Sequence, residues 1–150
     1  MVFDGLDGVD LGSLQALLES SFRRPLVGDY FDAKHFTRIY ATESYRATAV
    51  LTREGQIPYL DKFAVTPETQ GAGIGRAIWQ RLIRDAPRLY WRSRRSNPIN
   101  PWYFQQAKGS FRSGPWIVFW TGMSALDSVT AACIDHALSL PASLEPPRGP

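Results

Sequence analysis

Residues 59–65, Tyr59-Leu60-Asp61-Lys62-Phe63-Ala64-Val65, form an apolar run. It is followed by Thr66-Pro67-Glu68-Thr69-Gln70-Gly71-Ala72-Gly73-Ile74-Gly75-Arg76, a glycine-rich turn that restarts as a helical pattern. Strand, glycine turn and helix aim backbone N–H groups and the positive end of a helix at one spot, and an anion is what that spot can hold. A dinucleotide fingerprint needs a small residue three positions after its second glycine, but counted from Gly73 that position is Arg76. A P-loop needs Gly-Lys-Ser/Thr, which is absent. A turn that only joins strand to helix satisfies the same spacing. Two cations stand inside otherwise β-prone stretches, Lys62 and Arg92, with Arg94 in register with Arg92 and Asn97 just beyond. Read without other context, Lys62 is a snorkelling lysine or one paired to Asp61 or Glu68, and the run from Arg92 to Arg95 is a solvated basic edge.

These residues need elements to carry them. Asp10 precedes Leu11, Leu14, Leu18 and Phe22 at helical spacing, which predicts an N-capped amphipathic helix ending near Pro25. Phe36 to Thr42 and Tyr45 to Thr52 read as antiparallel strands joined by a tight turn, and Ile57 to Val65 as the next strand. In that strand simple alternation puts Asp61 opposite Lys62. The run from Gly75 to Asp85 is helical, Pro87 ends it, and Arg88 to Arg95 is a strand. The handedness of crossovers lays this strand parallel to residues 57–65. Its register sends Leu89 and Trp91 one way and Tyr90 and Arg92 the other. Pro101 opens a short helix, residues 108–114 read as loop, Trp116 to Trp120 as strand and Ser124 to Leu140 as a final helix. The expected organisation is one domain over residues 1–140, with 141–150 a disordered tail.

The composition narrows the function classes. A length of 150 residues, with 44% hydrophobic and 13% aromatic, suits one folded domain with its own core. The lone Cys133 forms no internal disulfide, and with only His35 and His136 there is no metal-ligand spacing, so no metal is expected. A net charge of +3 suggests an anionic ligand without demanding nucleic acid. No apolar run is long enough to span a membrane, and the start of the chain lacks a signal peptide's pattern, so a cytoplasmic setting is expected.

The pattern Gln70-x-x-Gly73-x-Gly75 resembles the acetyl-CoA pyrophosphate loop of the GCN5-related N-acetyltransferase fold, an α/β (α+β) architecture with a mixed central sheet flanked by helices. Four motifs in order sharpen the resemblance: Tyr59 to Phe63, Gln70 to Gly75, Trp91-Arg92-Ser93-Arg94, and Asn97-Pro98-Ile99-Asn100-Pro101-Trp102-Tyr103-Phe104. Together they are similar to the acetyltransferase domain of vertebrate-like N-acetylglutamate synthases and of bacterial synthase-kinase fusions.

The resemblance implies transfer of an acetyl group from acetyl-CoA to the α-amine of L-glutamate, within a ternary complex. It assigns Lys62, Arg92, Asn97 and Arg94 to glutamate. Phe63, Ala64, Val65, Gln70, Gly71, Gly73, Gly75, Arg76 and Asn100 fall to the cofactor, and Tyr103 becomes the acid that protonates the departing thiolate. For Tyr103, packing among Trp102, Phe104 and Phe111 fits the same spacing. The oxyanion donor implied is a backbone N–H near Phe63 to Val65, freed by a bulge. No general base stands out, so the amine is expected to lose its proton to solvent. The family also implies attachment to an amino-acid-kinase domain and a possible homo-oligomer. Two other classes stay open: an acetyl-CoA sensor without catalysis, and an acetyltransferase for another amine.

Overall fold

The alternation of apolar residues at the start of the chain is answered by strand pairing. β1 (Val2–Phe3), β2 (Phe36–Ala41), β3 (Ala47–Thr52) and β4 (Tyr59–Val65) pair antiparallel in sequence order. The tight turn before β3 is closed by Thr42, whose carbonyl accepts from the Tyr45 N–H at 3.0 Å and whose hydroxyl accepts from the Arg46 N–H at 2.8 Å. β5 (Leu89–Arg94) lies parallel to β4, and β7 (Trp116–Thr121) and β6 (Gly109–Ser113) complete one mixed sheet of order β1-β2-β3-β4-β5-β7-β6. This computed structural model describes residues 1–66 and 73–145. The helices are α1 (Leu11–Phe22), α2 (Tyr30–Ala33), α3 (Ile74–Asp85), α4 (Asn100–Gln106) and α5 (Ser128–Ser139). As the sequence predicts, α1 is capped by Asp10, whose carboxylate accepts from the Ser13 N–H.

Alternation also sorts the core. Leu51, Leu60, Trp91 and Phe119 face α3 and α4, packing with Trp79, Leu82 and Tyr103. On the opposite face, Ile39, Val50 and Ala64 meet Leu14 and Leu18 of α1, and Tyr90, Val118 and Trp120 meet Cys133 and Ala137 of α5. The two sheet faces are thus covered by α3 with α4, and by α1 and α2 with α5.

Two irregularities matter for function. β4 and β5 share only the register pair Tyr59 with Tyr90, and beyond it they part. Within the β3–β4 ladder, Val50 faces Lys62 while Leu51 faces Leu60, so Asp61 is an extra, bulged residue.

After α5 the chain stays on the body of the protein. The Val27 N–H donates to the Ser143 carbonyl at 3.0 Å and the Glu145 N–H to the Pro25 carbonyl at 2.8 Å, flanking an antiparallel bridge of Leu26 and Leu144. This corrects the expected disordered tail over 141–145: Leu144 packs on the apolar cluster under α1, and the segment's N–H groups find carbonyl partners. Residues 146–150 lie outside the described residues.

Candidate active site

The parting of β4 and β5 opens a cleft of about 970 Å³. Among the described residues its lining carries six Arg or Lys and a single Asp, so its field favours anions. At one end the chain enters α3 through Gly73, with φ 81° and no side-chain cap, and Gly75 and Arg76 in the first turn line the cleft. Gly75 is there for space: a Cβ would sit 2.7 Å from Val65 Cγ2, so only glycine lets the helix approach β4 this closely. The uncapped first turn leaves backbone N–H groups for an anion. Gln70 and Gly71 lie outside the described residues.

Phe63, Ala64 and Val65 form the adjoining wall. The Thr66 N–H points to β3, donating to the Arg46 carbonyl at 2.8 Å, so alternation turns the Phe63 N–H to the opposite edge, toward the cleft. The bulge inferred near residues 63–65 is found earlier, at Asp61.

That bulge decides the surroundings of Lys62. Instead of lying opposite, the Asp61 carboxylate meets the Lys62 ammonium at 3.1 Å, which also donates to the Asp61 carbonyl at 3.2 Å and the Ser143 hydroxyl at 2.5 Å. Lys34 Nζ sits 3.3 Å from the same carboxylate, and the Tyr30 hydroxyl donates to it at 2.5 Å. Burial alone would raise the Asp61 pKa, but Lys62, Lys34 and the Tyr30 hydrogen bond outweigh it and hold the carboxyl below its ordinary value. Burial pulls the Lys62 pKa down, against the attraction of Asp61, with Lys34 and Arg92 adding to the fall. Two ammonium groups share one carboxylate, so one positive charge is left over beside the cleft.

On β5, Arg92 and Arg94 lie 3.9 Å and 4.5 Å from the centre of the Trp116 ring. Arg92 is engaged with backbone: it donates to the carbonyls of Ala137 (2.9 Å), Leu140 (2.7 Å) and Pro141 (2.9 Å). Arg94 has no carboxylate partner among the described residues, and burial, with Arg24 and Arg92 nearby, lowers its pKa. Asn97 lines the cleft, its side-chain oxygen accepting from the Ile99 N–H at 3.2 Å. Asn100 does not line it. Its oxygen accepts from Ser93 at 2.7 Å and its amide donates to the carbonyls of Arg94 and Arg95, tying α4 to the end of β5. The side-chain hydrogen-bonding groups of Asn100, which the resemblance assigns to the cofactor, are engaged with β5 and the residue just after it.

Tyr103 is 5% exposed, at the cleft wall, its ring packed against Trp79, Trp91 and Phe119. The ring is core, with Trp102 as its one neighbour from the expected packing set, and the residue lines the cleft. Its hydroxyl has no hydrogen-bond partner among the described residues, and burial raises its pKa, so it stays protonated at neutral pH. Neither histidine reaches the cleft: His35 is exposed and His136 pairs with the Tyr90 hydroxyl at 2.5 Å. Ser143 and Arg24 line the cleft, and Lys34 and Tyr30 hold the Asp61 carboxylate beside it; sequence reading singles out none of the four. They come from elements joined to the site only by tertiary contact.

The fold is shared by solved structures. The ribosomal-protein-S18-alanine N-acetyltransferase of Escherichia coli superposes with a TM-score of 0.60 at 16% identity, covering 85% of this chain and 97% of that one. An N-acetyltransferase of Thermoplasma acidophilum in complex with coenzyme A gives 0.60 at 11%, covering 81% and 97%. In sequence, the chain is 43% identical over 147 residues to the mitochondrial N-acetylglutamate synthase of Homo sapiens, covering 95% of this chain and 27% of the relative. It is 40% identical over 136 residues to an acetylglutamate kinase of Xylella fastidiosa, covering 91% and 32%. The chain thus spans about a third or less of the length of these relatives. Residues 2–138 match the family described as the N-acetyltransferase of N-acetylglutamate synthase, and to that family this chain belongs.

Proposed function

We propose that this domain transfers the acetyl group of acetyl-CoA to the α-amine of L-glutamate. One observation carries the reading: Lys62, Arg94, Asn97 and Tyr103 converge on the cleft that the uncapped start of α3 also borders. The donor's pyrophosphate takes the first-turn N–H groups of α3 with Arg76 beside them, and its thioester lies along β4. The acceptor's two carboxylates go to the cationic end, at Lys62 and Arg94. The neutral amine attacks the thioester carbonyl carbon, and the Phe63 N–H faces the oxyanion that forms. As the C–S bond breaks, the Tyr103 hydroxyl gives its proton to sulfur, the amine's surplus proton leaves to water, and the tyrosinate regains a proton from solvent as the thiol departs. Asp61 is a poor base because its charge is held by three donors. Cys133 is on the buried, sheet-facing side of α5, outside the cleft, which favours direct transfer over an acetyl-cysteine.

The similarity to about a third of an acetylglutamate kinase supports a domain that works joined to an amino-acid-kinase domain. The test is thiol release from acetyl-CoA across a panel of amino acids. Glutamate should lead, and Lys62→Ala should raise its KM by tenfold or more. Another amino acid in the lead, or an unchanged KM, would sink the glutamate assignment.

A further inference from the structure

An ammonium has three protons to donate, and in Lys62 all three are engaged: two on Asp61 and one on the Ser143 hydroxyl. Asp61 is not free to move aside, because Lys34 and Tyr30 hold its carboxylate from other elements. A carboxylate approaching Lys62 from the cleft therefore meets Ser143, which lines the same cleft. The Ser143 oxygen accepts from Lys62, and its hydrogen is donated to none of the described residues. A hydroxyl polarised by a cation behind it is a strong donor to an anion in front.

The position of Ser143 does not depend on its own side chain. Backbone bonds from Val27 to the Ser143 carbonyl and from Glu145 to the Pro25 carbonyl fix the segment, and Arg92 clamps its start through the carbonyls of Leu140 and Pro141.

We propose that Ser143 is an acceptor-binding residue, its hydroxyl donating to a carboxylate of the amino acid while it accepts from Lys62. Arg92 is then a positioning residue that acts through residues 140–145. The inference rests on the proposed acetyl transfer to an amino acid and adds a residue and a segment to it.

Steady-state kinetics of Ser143→Ala and Ser143→Thr test it. In Ser143→Ala the KM for the amino acid should rise roughly ten- to hundredfold, the span of a hydrogen bond to a charged group. The kcat and the KM for acetyl-CoA should be preserved, the melting temperature should fall only by the loss of the Lys62–Ser143 hydrogen bond, and Ser143→Thr should restore both the KM and the melting temperature. The Ser143→Ala penalty should also vanish with an acceptor whose contacted carboxylate is replaced by an amide, either L-glutamine or glutamate α-amide. An unchanged KM in Ser143→Ala overturns the proposal, as does a penalty that persists with both amides. If the wild type prefers another amino acid, the glutamate assignment alone fails and the same comparison is read with that acceptor. If it acetylates no carboxylate-bearing amine, both fall.

Discussion

Burial pushes Tyr103 and Asp61 the same way, and only their partners set them apart. Burial raises the phenol's pKa with nothing to oppose it, whereas two lysines and a tyrosine overcome burial at the carboxylate. Tyr103→Phe should keep the ring packing and the melting temperature, because the hydroxyl has no partner among the described residues. It should lower kcat by about 10²- to 10⁴-fold with little change in KM, which pre-steady-state thiol release would resolve. An unchanged kcat would remove it from the mechanism. Asp61→Asn leaves Lys34 and Lys62 facing each other and should cost about 3–5 kcal/mol at neutral pH. The pH sign follows from the lowered pKa. The stability that Asp61 contributes is present above the ordinary carboxylate range and is lost as pH falls through its depressed folded value. Denaturant unfolding of both proteins should therefore converge in acid, and a gap that stays constant with pH would contradict this.

At the scale of elements, the strand–turn–helix around Gly75 carries a sharp expectation. Gly75→Ala brings a methyl to 2.7 Å from Val65, so α3 must shift away from β4. The KM for acetyl-CoA should rise about tenfold while that for the amino acid is kept, the cost of misplacing a charged hydrogen bond. Gly73→Ala meets no atom within 4 Å among the described residues but is strained by φ 81°, and should lose roughly 1–2 kcal/mol of stability in thermal melts. This glycine pattern was legible in the sequence, as were β4, α3, β5 and the proline-led α4, because each has a periodicity or a turn chemistry of its own. The bulge at Asp61 was not legible, since period-two alternation carries no mark of an inserted residue. The sequence predicts a loop where β6 lies: Gly109-Ser110-Phe111-Arg112-Ser113 is an edge strand whose Phe111 is 47% exposed, and no apolar face announces it. Four-residue α2 and two-residue β1 are too short for any period to show. Ser143 sits among prolines and alanine, and nothing local distinguishes it. Its neighbour Lys62 is 81 residues away in sequence.

Across the whole molecule, the sheet divides into β1 to β4 and β5 to β7, linked at Tyr59 and Tyr90. On one face the aromatic core of α3 and α4 bridges the halves, with Trp79 against both Phe63 and Trp91. On the other face α1 and α2 pack on the first half, while α5 packs on the second and on Tyr59 of β4. The segment after α5 also crosses there, laid from the Arg92 clamp to Leu26. That crossing gives the protein a built-in reporter of occupancy. The amide protons of Val27 and Glu145 close the seam between the segment after α5 and the turn before α2, and an amino acid bound to Ser143, with Lys62 behind it, would steady that seam. Hydrogen–deuterium exchange should find these two amides slowed by the acceptor, and unmoved by it in Ser143→Ala. Those two backbone hydrogen bonds would then serve as a gauge of acceptor bound at Ser143.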